Sequence, residues 1–106
     1  MNDPGLNKPL VEKLAKDFAL VPSSTMIEEG MPEIKRRLTQ RVAELMDKDY
    51  DRFLLSLYRM DINEEKVMHV LNTSNVLDLP ANIADLIIER QIQRINTQRL
   101  YKEGKL

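Results

Sequence analysis

Apolar side chains recur along this chain at intervals of three and four residues, the spacing that gathers them on one face of an α-helix. The longest such run is Ala81 to Arg99. At ~100° per residue, Ile83, Ala84, Ile87, Ile88, Gln91, Ile92 and Ile95 share one broad face, while Asp85, Glu89, Gln93 and Asn96 lie mostly away from it. Pro80 suits the first turn, where its missing N–H is no loss, and Asp78 stands where a cap belongs. β-Branched residues lower helix propensity, so a helix built on isoleucine requires burial, at about 1.5–3 kcal/mol for each fully covered aliphatic side chain. Gln91 falls in the middle of the face, as a rim residue or satisfied core amide, or as a polar register-setter between helices. Leu86 points away from the stripe and requires a second layer or a partner chain.

The remaining segments carry the same periodicity over shorter spans. Met1 to Leu6, with Asp3-Pro4-Gly5, is a turn-prone opening. Lys8 to Val21 is predicted helical, capped by Asn7 and ended by Pro22, with Leu10, Val11, Leu14, Phe18 and Val21 in one stripe. Pro22 to Pro32 is a joint: Thr25-x-x-Glu28 matches a capping box for one short turn, Gly30 closes it, and Pro32 opens the next helix. The first helix is then either an ordinary bundle helix or a docking arm, which divides the chain into residues 1–30 and a helical core of 31–106.

Glu33 to Lys48 places Ile34, Leu38, Val42, Leu45 and Met46 on one side and Lys35, Arg36, Arg37 and Arg41 toward water. Asp49 to Met60 continues with Tyr50, Phe53, Leu54, Leu57 and Tyr58 on a face displaced from the first by roughly a quarter-turn or more. A break near Asp47-Lys48-Asp49 with Asp49 as cap explains the offset; one curved helix is the alternative. Asn63 caps a further helix to about Leu71, with Ile62 and Val67 as a hydrophobic staple and Val67, Val70 and Leu71 turned inward. Val76, Leu77 and Leu79 form an apolar connector expected to lie over the core. The last helix frays through Tyr101 to Gly104. Every segment has a helical period, so the fold class is all-α: a compact array or bundle of about five helices with the last, about residues 80–100, at its centre.

Composition narrows the chemistry more than the fold. At 106 residues the chain makes one modest domain, and with 5% aromatics and no Trp its core is aliphatic. Absence of cysteine excludes disulfides, thiolate metal sites and a thiol nucleophile. No signal peptide and no apolar run of ~18 residues is present, which predicts a cytoplasmic protein outside the membrane. A net charge of −1 argues against a general polyanion binder.

Individual motifs fall short of a reaction. Asp47-x-Asp49-x-Asp51 opens like a calcium loop, but Arg52 and Tyr58 occupy the places that need Gly and Glu; Asp61-x-Asn63-x-Glu65 fails in the same way with Lys66 and Asn72. His69, the single histidine, has Glu65 four residues before it, too few ligands for zinc. Gly5, Gly30 and Gly104 are scattered among turns and make no phosphate-cradling loop. No catalytic, cofactor-binding or metal-binding residue is expected, and no enzyme activity.

LYRMDINEEK (residues 57–66) followed by IADLIIERQIQ (residues 83–93) resembles a pattern in small, uncharacterised helical proteins of bacteria. The resemblance spans about Lys35 to Ile95, names no reaction, and implies that the first 30 residues are an addition to a shared helical unit. The expected function is interaction with another protein or with a second copy. The candidate surface is Leu55, Met60, Leu86 and Arg90, where the apolar members fall outside the bundle's own stripes. The alternative is a nucleic-acid-associated protein whose basic last helix, from Arg90, Arg94 and Arg99 to Lys102 and Lys105, contacts phosphates through Arg90, Arg94, Arg99 and Lys102.

Overall fold

Capping chemistry sets where each helix begins. The computed structural model describes residues 4–104 and contains, among them, six helices and no strand. They are α1 (Pro4–Phe18), α2 (Ser24–Glu29), α3 (Met31–Lys48), α4 (Tyr50–Arg59), α5 (Glu64–Thr73) and α6 (Leu79–Lys102). The Ser23 hydroxyl caps α2 by accepting from the Met26 N–H, so the short helix is capped two residues earlier than the Thr25 box predicts. Gly30, at φ 78°, closes α2 and opens α3 with Pro32 in its first turn. The Asp49 carboxylate accepts from the Arg52 N–H at 3.1 Å, and the chain breaks there into two helices rather than curving. The Asn63 side chain accepts from the N–H groups of Glu65 and Lys66. Asp78 precedes α6 without a side-chain capping bond.

Helix α6 is the centre. It packs most extensively on α3, and also on α1 and α5; α2 bridges α1 and α3, and α4 rests on α3. Ile83, Ala84, Ile87, Ile88, Gln91 and Ile95 of α6 are buried, in one core with Ile34, Leu38, Val42 and Leu45 of α3 and Leu10, Val11, Leu14 and Phe18 of α1. Gln91 is a satisfied core amide at 0% exposure. Its Nε2 donates to Asp17 Oδ2 at 2.6 Å, and its Oε1 accepts from Arg94 Nη1 at 3.3 Å, which ties α6 to α1. Leu86 is half-buried against the same core.

Several expectations are corrected. Helix α1 begins at Pro4, so Asn7 is inside it; its Nδ2 donates to the Ile27 carbonyl and ties α1 to α2 instead of capping. The helix ends at Phe18, where Ala19 takes a left-handed φ of 54° that turns Leu20 into the core and leaves Val21 at 74% exposure. On α4, only Phe53 and Leu57 are buried, because the helix packs chiefly on α3; Tyr50, Leu54 and Tyr58 remain exposed. Val76 and Leu77 lie in solvent, since Asn75 to Leu79 closes as a tight turn on the Asn75 carbonyl. Met1 to Asp3 of the turn-prone opening, and Lys105 of the basic run, lie outside the described residues.

Burial of the α6 ridge should dominate stability. Ile87→Ala is expected to cost about 2–5 kcal/mol, and Leu77→Ala no more than about 0.5 kcal/mol, as read from urea denaturation. Equal costs for the two would contradict this core.

Candidate interaction groove

Helices α4 and α5 follow one another in sequence yet barely touch, because α4 is held by α3 and α5 by α6. Met60 and Ile62 of the turn between them are buried and anchor it, and Asp61 takes φ 57°. A cleft of about 970 Å³ opens between the two helices. Its apolar lining is Leu54, Leu55, Leu57 and Tyr58 from α4 and Val67, Met68 and Leu71 from α5. Four of these expose a large part of their surface: Leu54 40%, Leu55 47%, Tyr58 76% and Met68 54%. Asp51, Asp61, Glu64 and Glu65 stand along the same cleft, and no lysine or arginine among the described residues lines it. The arrangement offers an apolar trough with anionic margins.

The sequence-predicted surface divides. Leu55 lines the groove. Met60 does not belong to any surface: at 1% exposure it is a core residue, because the α4–α5 turn folds inward. Leu86 and Arg90 meet this turn from the α6 side, in a small cleft of about 210 Å³. There Arg90 Nε donates to the Met60 carbonyl at 3.2 Å, and its Nη2 lies 3.6 Å from Asp61 Oδ2. Arg90 is thus a clamp on the turn. Leu54, Tyr58 and Met68 were missed as surface residues. The first two share a helical face with Phe53 and Leu57, and no sequence signal shows that only one edge of that face is covered.

The basic residues are mostly committed to the protein itself. Arg94 lies 3.8 Å from Asp17 and donates to Gln91, and Arg99 Nη2 donates to the Gly5 carbonyl; Lys102 is exposed. The earlier group, expected to face water, is also engaged. Lys35 pairs with Asp85 at 2.9 Å across α3 and α6, and Arg41 Nε donates to the Phe18 carbonyl at 2.8 Å. Arg36 and Arg37 both clamp Glu33, at 2.5 Å and 2.9 Å. Hydrogen bonds from Arg36 and then Arg37 hold the Glu33 carboxyl at about 2, well below its ordinary 4.5, and Arg36 is raised by the same contact. His69 is exposed, and among the described residues no group of three or more His, Asp or Glu gathers as a metal site. No helix among them is long and apolar enough to cross a membrane.

Compared with known protein families, curated proteins and solved structures, the chain shows no significant match.

The Glu33 clamp gives a pH dependence of defined sign. Its folded pKa is depressed, so its stabilisation is fully present above about 4.5 and is lost as pH falls toward about 2. Glu33→Gln is expected to lower stability at neutral pH and to flatten the loss between those values, measured as urea midpoint against pH. An unchanged acid limb would contradict the clamp.

Proposed function

We propose that this protein is a small non-catalytic helical module that works by protein–protein interaction, taking a helical segment of another protein into the α4–α5 groove. The observation that carries this reading is the pair of apolar walls left uncovered on two helices that pack elsewhere. Isolated exposed hydrophobes are ordinary, but here they are contiguous and concave. A helix laid in such a trough buries its apolar stripe against both walls and satisfies its own backbone hydrogen bonds, so the trough needs no polar floor. A cytoplasmic setting belongs to the same proposal.

A second copy of the chain is the competing occupant. Two-fold pairing of the groove with itself would bring its four carboxylates to the same interface as the four of the second copy, with no lining lysine or arginine among the described residues to offset them, an arrangement that opposes association. The nucleic-acid alternative draws little support from the basic last helix, because Arg90, Arg94 and Arg99 are engaged within the fold.

The test is selection from a displayed library of amphipathic helical peptides on the wild-type protein. Selected peptides are expected to lose about tenfold or more in affinity, roughly 1.4 kcal/mol, on Leu54→Asp or Met68→Asp. Both variants should keep the wild-type Tm, since both side chains are substantially exposed. Binders indifferent to both substitutions, or no binder above background, would overturn the proposal.

A further inference from the structure

We infer that the occupant of the α4–α5 groove is a basic amphipathic helix, an apolar stripe bordered by lysine or arginine toward both ends; this rests on the groove being a docking site, as argued above. The two walls carry the same pattern. On α4, Asp51, Leu54, Leu55 and Tyr58 stand at i, i+3, i+4 and i+7; on α5, Glu64, Val67, Met68 and Leu71 do the same. Each wall opens with a carboxylate and continues as an apolar ridge. The two starting carboxylates are separated along the trough, since Asp51 lies in the first turn of α4 while Glu64 begins α5 at the joining turn. Asp61 and Glu65 add charge at that turn.

Asp51, Glu64 and Glu65 differ from the carboxylates that line the helix seams. Glu33, Glu44, Asp85 and Glu89 are each paired with a cation of the protein. Among the described residues, the side chains of Asp51, Glu64 and Glu65 have no such partner, and Asp61 stays 94% exposed even beside Arg90. The place of Asp51, Glu64 and Glu65 in first turns suits the helix dipole, which favours negative charge there without neutralising it. The whole chain is close to neutral at −1, whereas the trough is lined by four carboxylates and, among the described residues, by no lysine or arginine. An incoming helix with basic borders is attracted by these carboxylates, an attraction that salt screens over about one Debye length, about 10 Å at 0.1 M salt. A helix with acidic borders is repelled by the same groups.

The experiment compares two synthetic peptides with identical leucine stripes at i, i+3, i+4 and i+7, one bordered by lysine and arginine, the other by glutamate. Binding to the full chain is measured by fluorescence anisotropy at about 50 mM and about 500 mM salt. The basic peptide is expected to bind about tenfold or more tighter at low salt, with the gap closing at high salt. The combined variant Asp51→Asn, Glu64→Gln, Glu65→Gln should cut that preference to about threefold or less and leave the circular dichroism spectrum unchanged. Equal binding of both peptides, abolished by Met68→Asp, would overturn the charge inference while the groove reading stands. Binding of neither, or binding untouched by Met68→Asp, would overturn both. Concentration-dependent dimerisation lost in Met68→Asp would assign the groove to a second copy and overturn the inference.

Discussion

The isoleucine ridge of α6, pressed against α3 and α1, is what the other elements are built on. Ile83 and Ile87 are fully excluded from water, and Ile34, Leu38 and Val42 of α3 are excluded with them. At about 25 cal/mol per Å² of apolar surface, this shared burial outweighs the surface ion pairs that decorate it, such as Lys35–Asp85, where both partners are about half exposed. The polar contacts at the seam set register more than strength. Gln91 can be buried only because Asp17 and Arg94 meet its amide, and that demand fixes how α1 lies on α6.

The groove is a consequence of how the remaining helices divide this scaffold. Helix α5 has no fully buried residue and leans on α6 through half-buried Val67, Val70 and Leu71. Helix α4 leans on α3 through Phe53 and Leu57. With Met60 and Ile62 pinned inside and Arg90 gripping the turn from behind, the two helices are fixed apart and the space between them stays open. The same burial that stabilises the fold therefore leaves two apolar helix faces without a partner.

Much of the scaffold was legible in the sequence. The central helix, the break at Asp49, the Asn63 cap and the all-α class follow from periodicity and capping, which act over a few residues. The ends of α1 were not legible, because tertiary packing carried the helix back to Pro4 and a left-handed Ala19 stopped it early. Candidate site residues were harder still. Leu55 reached the groove, but Met60 was taken into the core by the fold of a turn, and the arginines of α6 found carbonyls and carboxylates distant in the chain. A helical stripe shows which side chains prefer burial. It does not show that α4 and α5 would each be covered along one edge only, since that depends on where α3 and α6 stand.

Native-state amide hydrogen exchange tests this hierarchy most directly. The account predicts that Ile83 to Ile95 of α6 and Ile34 to Val42 of α3 exchange only through global unfolding, and that α5 opens first at a distinctly lower free energy. Protection of α5 equal to that of α6, or rapid exchange along the isoleucine ridge, would contradict it.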